Sequence, residues 1–425
     1  MSRVIIWPDI YKEQGHWLPC INLAKSLKDA GYATVDFMGI PDTQSIVQPY
    51  GFSFTTILSN IYPAGYSLEN KLEPVDQRWK PAHLMPIVRG ALDNVFRPAS
   101  GPAPDGIIGG YFTSLETLMI SRKYNKPFVI ITTFLRHPED LPSLLAKTKL
   151  LYMPKAVAQA LIDGIVGPAK AGMSIDEFVS PLDAAGAPEI IPCSKEFDFQ
   201  PPDDPDWVHR PTTSYVEPMI VRTPLPPSPP IPDPTVIPAN FRLIYATSGS
   251  QVQDYEFRAR IFFKNMISMM QTAGMDTYYL VLAVGSKLFT QLNLEYGVGT
   301  ANPTLPKNVA LFDWVSQLDI VRIADCVFMH GGLATIKESI WEQVPIVIVP
   351  LGKDQMDNAL RIKRTGVGVA AEVADLSPAD LRQLFTQATG STWIRQNLAS
   401  MKAIFQTAET AKPSVNIIKS VIPFP

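Results

Sequence analysis

Only three cysteines, Cys20, Cys193 and Cys326, are spread over 425 residues, too few and too scattered for a disulfide framework or a cysteine metal cluster. Cys20 and Cys326 stand in apolar contexts that suit buried free thiols, and a reducing, cytoplasmic compartment is the expectation. Net charge is equally scarce. With 37 basic and 40 acidic residues the formal charge is -3, so no general field exists for nucleic acid or an anionic membrane surface, and any anion has to be bound locally. No apolar run approaches the roughly 18 residues of a membrane span. The opening "MSRVIIWPD" has one basic residue and a four-residue apolar run before a proline, too short for a secretory signal, and it reads as a first strand. Neither nucleic acid nor a membrane span is expected.

What is abundant is apolar residues, 46%, enough for a core in each of two or three domains, and proline. The 40 prolines are about twice the usual ~5% share. They crowd between Pro201 and Pro238, where "TPLPPSPPIPDPTVIP" cannot supply ladder hydrogen bonds and favours extended, semi-rigid backbone. The expected organisation is a first domain over residues 1–222, a linker over 223–240, a second domain over 241–408, and a helical segment 409–425 packing back on the first domain.

Each half opens alike. "RVIIWPDIYKEQGHWLPCINLAKSLKDAGY" reads as a short apolar strand, a loop, and a helix with Leu18, Ile21, Ala24 and Leu27 at helical spacing, stopped by Gly31. "FRLIYATSGSQVQ" repeats the strand and loop, and a helix ending at Gly274 follows. "YYLVLAVG", "VALFDWV", "CVFMH", "PIVIVP" and "GVGVAA" are near-continuous apolar runs, as in strands buried on both faces of a parallel sheet. "GYATVDFMGI" and "PFVIITTF" add strands to the first half, and "DGIIGG" is a weaker candidate. Residues 141–188 are helical in tendency but poorly patterned, and a variable substrate wall is expected there. The fold class is α/β, with two doubly wound parallel-sheet domains.

In such sheets ligands bind beyond the carboxyl ends of the strands, where helix N-termini present free N–H groups and partial positive charge. "CVFMH" ends at such a position, and "GGLATIKE" starts the helix. Gly331 and Gly332 let backbone amides approach an anion, while Thr335 and His330 add donors. This set suits a diphosphate. Glu338, one helical step beyond Thr335 on the same face, suits a ribose diol. Trp314 suits stacking on a base. The loop Ser248-Gly249-Ser250 is a second phosphate-loop candidate, and Asp357 and Asn358 are left outside the site.

The stretch "LPKNVALFDWVSQLDIVRIADCVFMHGGLATIKESIWEQVPIVIVPLGKDQMDNALRIKRTGVGV" resembles the donor-binding signature of the family-one glycosyltransferases, the UDP-glycosyltransferase superfamily, in its bacterial natural-product form. The resemblance is specific over roughly residues 305–370, and the order of the remaining parts extends it along the chain. It implies a GT-B fold, two Rossmann-like domains facing a central cleft. It implies further that Trp314 stacks on the donor base with Gln317 nearby, that His330, Gly331, Gly332 and Thr335 hold the diphosphate together with Ser248 and Ser250, that Glu338 holds the ribose, and that Asp354 and Gln355 read the sugar. Ala334 stands where many bacterial members have glycine. The implied activity is inverting, metal-independent transfer of a sugar from a UDP- or dTDP-linked donor to a hydroxyl of a small, largely apolar acceptor. No cofactor is implied beyond the nucleotide-sugar co-substrate, and the protein is expected as a monomer or homodimer. Trp79, Phe112 and Phe134 are candidates for the acceptor wall. An idle nucleotide-sugar-binding partner protein and a nucleotide-sugar epimerase are the alternatives.

The resemblance also makes His16 the base, suited to it by an ordinary pKa near 6.5. Family members commonly hold that histidine with an aspartate ending a strand like "PDLVVYD". Here "PDGIIGG" puts Gly110 in that place, and Asp105 opens the strand at its far end. Either another acid such as Glu116 reaches His16, or an acidic acceptor hydroxyl makes one unnecessary, or the protein is idle. The expectation is a working His16, unassisted or with a substitute partner.

Overall fold

The structure, a computed structural model, describes residues 2–66, 83–183, 185–199, 211–221, 241–250, 252–301, 303–371 and 376–422. Trp79 and the proline-rich stretch 223–240 fall outside these. The chain divides into two compact units, the first made of Met1–Ser194, Gln200–Val221 and Ala408–Pro425, the second of Lys195–Phe199 and Arg222–Thr407.

The first unit is built on strands β1 (Arg3–Trp7), β2 (Thr34–Gly39), β3 (Phe54–Thr56), β4 (Gly106–Gly110), β5 (Phe128–Ile131), β6 (Glu189–Ile191) and β7 (Thr213–Tyr215). They form one sheet in the order β3-β2-β1-β4-β5-β6-β7, and every pairing is parallel. Val4, Ile5, Ile6 and Trp7 are all buried, because helices cover both faces of a sheet wound this way. "GIIGG", the weaker strand candidate, is the central β4 and wholly buried. The second unit repeats the plan with β8 (Arg242–Thr247), β9 (Tyr278–Ala283), β10 (Val309–Phe312), β11 (Cys326–Met329), β12 (Ile346–Ile348) and β13 (Gly368–Ala370), ordered β10-β9-β8-β11-β12-β13. The strand order therefore reverses between β1 and β4 in one unit and between β8 and β11 in the other. Beyond the carboxyl ends of those pairs the flanking loops diverge and leave a crevice.

The helix Gln14–Asp29 follows β1 and buries Trp17, Ile21, Ala24 and Leu27, while Leu18 stays partly exposed. Gly31, at φ +103°, turns the chain out of it. Residues 141–188, expected to be helical but poorly patterned, contribute to the core of the first unit. Their helices Pro142–Leu151, Lys155–Val166 and Ile175–Val179 place Ala146, Leu150, Leu161, Ile162 and Phe178 in one core with Leu115, Leu118 and Met119 of the helix Ser114–Tyr124. Short helices with irregular apolar spacing hide this packing from a periodicity reading. All three cysteines are buried and free, and burial pushes the Cys20 and Cys326 thiols far above their ordinary pKa.

The C-terminal helix Pro413–Val421 belongs to the first unit. Val415, Ile418 and Ile422 enter the core that contains Val4, Ile6, Val129 and Ile131. Ser414 donates from its N–H and its hydroxyl to Glu217 at 3.2 and 2.5 Å, and the Tyr32 hydroxyl donates to the Ile422 carbonyl at 3.2 Å. Ile418 is fully buried. Ile418→Ala should therefore lower stability by about 2–5 kcal/mol, the cost of a truncated aliphatic core residue, as a shift of the urea midpoint with an unchanged slope. A loss under 1 kcal/mol would mean that this helix contributes little to the first unit.

Candidate functional site

In the first unit the crevice at β1 and β4 holds His16. Its Nδ1 lies 2.5 Å from Asp9 Oδ2, on the loop leaving β1. The other carboxylate oxygen, Oδ1, accepts the Tyr11 N–H at 3.2 Å, and Trp17 Nε1 donates to the Tyr11 carbonyl at 2.9 Å, so the loop is fastened at both ends. Asp9 is buried. A carboxylate facing Nδ1 selects the Nδ1–H tautomer and leaves the lone pair on Nε2. Phe112 and Phe134 flank the imidazole, with ring centroids 5.2 and 6.5 Å away, so two of the three expected acceptor residues share a locale with His16.

Sequence reasoning missed Asp9. Glu116 does not reach His16. It is fully buried, with Oε1 2.7 Å from His83 Nε2 and both oxygens 3.0 Å from Lys149 Nζ. Burial pushes its pKa up, but Lys149 and His83 outweigh that and hold it at about 2. Asp105 accepts the Arg3 N–H at 2.8 Å at the amino end of the sheet. Gly110 cannot carry an acid at all, since a β-carbon there would lie 1.7 Å from the Pro8 carbonyl oxygen. The available signal was the spacing of Asp9 and His16 across a strand-loop-helix turn.

Asp9, Glu13 and His16 are also the one grouping of metal-ligating side chains among the described residues, their ligand atoms within 4.8 Å of one another. Two atoms bound about 2.1 Å from one ion stand about 3 Å apart. The 2.5 Å approach of Asp9 to His16 is that of a hydrogen bond.

In the second unit the crevice at β8 and β11 collects the expected donor residues. His330 ends β11 and Gly331 and Gly332 lead into the helix Leu333–Glu342. Gly331 sits at φ +107°, a conformation that favours glycine. A β-carbon on Gly249 or Gly332 would come within 2.7 Å of the imidazole of His330. Burial first, then the charge of Lys353, lowers the His330 pKa to about 4, with the Thr247 backbone opposing them. The ring is therefore neutral at working pH. His330 Nδ1 and Ser248 Oγ are buried without a hydrogen-bond partner among the described residues, whereas Ser250 is exposed. Such orphaned polar atoms at a strand end are what a missing ligand leaves behind.

Gln317 Nε2 donates to Thr335 Oγ1 at 3.1 Å and Glu338 Oε2 at 2.5 Å, which puts three expected residues on one patch. Burial raises the Glu338 pKa to about 7, with Gln317 and Lys337 opposing and Glu342 adding to the rise. Trp314 follows β10 and is 41% exposed, open to stacking. Gln355 is buried, and its Oε1 accepts the N–H groups of Leu351 and Gly352 at 2.7 and 3.0 Å. Asp354 is raised above the ordinary carboxylate range by burial. Asn358, which the sequence left outside the site, donates from Nδ2 to the Gly331 carbonyl at 2.9 Å and Asp354 Oδ2 at 3.2 Å. It ties the glycine turn to the helix Gln355–Thr365.

Residues 289–408 match the family model described as UDP-glucoronosyl and UDP-glucosyl transferase. Across the chain, the glycosyltransferase of kitacinnamycin superposes with a TM-score of 0.73 at 17% identity, covering 99% of this chain and 98% of that one. The fold is GT-B, and residues 289–408 are similar to the UDP-glycosyltransferase family. The calicheamicin glycosyltransferase CalG4 is similar at a TM-score of 0.66 and 19% identity, over 99% of this chain and 100% of that one. By sequence, the chain is 32% identical over 108 residues to UDP-glucuronosyltransferase 1A8 of Rattus norvegicus, 25% of this chain and 20% of that one. It is 26% identical over 118 residues to NDP-glycosyltransferase YjiC of Bacillus licheniformis, 28% of this chain and 30% of that one. These alignments thus span a third or less of the curated relatives. Among the described residues, no helix is long and apolar enough to cross a membrane.

If Glu338 holds a ribose, its shifted pKa gives nucleotide binding a pH signature. A carboxylate accepts both hydroxyl protons of a ribose diol, and a carboxyl group does so poorly. Affinity for a nucleoside diphosphate should fall roughly fivefold from pH 7 to pH 6, as protonation of a group titrating near 7 requires. Glu338→Gln, measured alongside by calorimetry, cancels titration of the phosphate itself and should remove the difference. In the empty protein the linkage has the opposite sign. The raised pKa contributes stability that is full below about 4.5 and is lost as pH rises through about 7. Identical pH profiles for the two proteins would remove Glu338 from nucleotide binding.

Proposed function

We propose that the protein is an inverting glycosyltransferase that moves a sugar from a UDP- or dTDP-linked donor to a hydroxyl of a small, largely apolar acceptor such as a natural product. The observation that carries this is the Asp9–His16 hydrogen bond, because it supplies the acid that the sequence lacks at Gly110. In this reading the first unit binds the acceptor and the second the donor. One solved neighbour is a glycosyltransferase, VinC, in complex with dTDP, and another, SpnG, is in complex with spinosyn aglycone. The three buried free thiols suit a reducing, cytoplasmic setting.

His16 Nε2 takes the acceptor hydroxyl proton as that oxygen attacks the anomeric carbon from the face opposite the diphosphate. The new C–O bond forms while the bond to the diphosphate breaks, and the diphosphate leaves with the electron pair. Asp9 keeps the imidazole in the right tautomer and stabilises the imidazolium that forms. Neutral His330 donates a hydrogen bond to the departing anion, beside the N–H groups opening the helix Leu333–Glu342. Trp314 stacks on the base, Gln317 and Glu338 hold the ribose, and Asp354 and Gln355 face the sugar. Phe112 and Phe134, next to the base, offer an apolar wall to the acceptor. An idle binder drew its support from the acid missing at Gly110, and Asp9 removes that support.

His16→Ala should abolish transfer, and Asp9→Asn should slow it by about 10²–10⁴-fold, the usual worth of general-base catalysis. Both should bind nucleoside diphosphate as the wild type does. Acceptor-dependent release of nucleoside diphosphate is the assay. Wild-type rates in Asp9→Asn would show that His16 works unassisted, and wild-type rates in His16→Ala would remove the base. A donor sugar that changes without being transferred would mark an epimerase.

A further inference from the structure

Lys353 stands between Gly352 and Asp354, next to the sugar-facing pair, in a left-handed conformation at φ +56° that side chains other than glycine's rarely adopt. The loop enforces it from both sides. The N–H groups of Leu351 and Gly352 are pinned by Gln355 Oε1, and the helix Gln355–Thr365 begins two residues on. Strain held in this way at a ligand crevice points to a use for the side chain it aims.

That side chain reaches Asp254 Oδ2 at 2.5 Å, with the lysine 43% and the aspartate 20% exposed. With Tyr255 and Arg258 the pair lines a cavity of about 550 Å³. Tyr255 joins this cavity to the crevice, because its ring stacks on His330 at 6.2 Å and its hydroxyl donates to the Ser248 carbonyl at 2.8 Å. Behind it lie the two orphaned polar atoms, Ser248 Oγ and His330 Nδ1. The Lys353 charge is felt at His330, whose protonation it opposes. A neutral imidazole, hydroxyls and backbone N–H groups carry no full positive charge, and a diphosphate carries at least two negative ones.

We propose that Lys353 is the cationic ligand of the donor diphosphate, and that Asp254 is an internal competitor which holds Lys353 until the diphosphate arrives. This rests on the donor-site reading above. An anion entering the crevice exchanges one carboxylate partner of Lys353 for a phosphate oxygen. Asp254 thereby weakens diphosphate binding and eases product release, while the neutral nucleoside is indifferent to both residues.

The test is calorimetric titration of the full chain at low salt with UDP, dTDP and uridine. Lys353→Met should weaken diphosphate binding by about tenfold, in the range of a charge-assisted hydrogen bond, and should reduce its salt sensitivity. Asp254→Asn should tighten it by a few-fold. Uridine affinity should be the same in all three proteins, with the fold checked by circular dichroism. Unchanged diphosphate binding in Lys353→Met, or unchanged or weaker binding in Asp254→Asn, overturns the proposal. If the wild type binds neither diphosphate, the donor-site reading itself is what fails.

Discussion

Gly110 touches the backbone of Pro8 so closely that no side chain fits between β4 and the end of β1, and the layout of the first crevice follows from this contact. Because the two strand ends meet there, the acid nearest His16, ahead of Glu13 at 3.5 Å, comes from the residue after Pro8 in the β1 loop. Asp9 occupies that residue, buried and fixed by the Tyr11 N–H. The Asp9–His16 pair thus sits within one strand-loop-helix turn instead of bridging two strands. Its geometry depends on local backbone and on Trp17 anchoring the loop, and less on the register of the sheet.

In the second crevice the polar side chains satisfy one another. Gln317 shares its amide between Thr335 and Glu338. Burial raises the Glu338 carboxyl toward neutrality, which makes its desolvation tolerable. Asn358 couples the glycine turn to Asp354. The glycine turn and the start of the helix Gln355–Thr365 are therefore mechanically one piece.

How much of this the sequence discloses depends on how local each feature is. That the residues expected at the donor site would share one crevice was legible because most of them lie in one continuous stretch, where strand ends and helix starts fix their placement. His330 with its glycines and Glu338 one helical turn from Thr335 are of that kind. The acid beside His16 was not legible, since the resemblance points to β4, and steric exclusion by Pro8 is a property of the folded pair. Glu116, drawn into a buried cluster with His83 and Lys149, could not be told from a catalytic acid by type or position. The helices of residues 141–188 escaped for a similar reason, their burial being shared among three short elements with no single stripe. Asn358 was visible in its motif, but whether it touched sugar or scaffold was decided only by where Gly331 lies.

The two units do not coincide with the two halves of the sequence. Residues 195–199 serve the second unit, where Asp198 Oδ1 accepts from buried Arg361 Nε at 2.7 Å, and residues 408–425 serve the first. Read along the direction of synthesis, the exchange sets an order. The first unit is made early, but its core lacks Val415, Ile418 and Ile422 until the second unit has been made. The aspartate for Arg361, by contrast, is made more than 150 residues before its partner. Domains usually fold as units, N-terminal first. Here the earlier unit must wait for residues made after the later one, and the later one finds its missing charge already present.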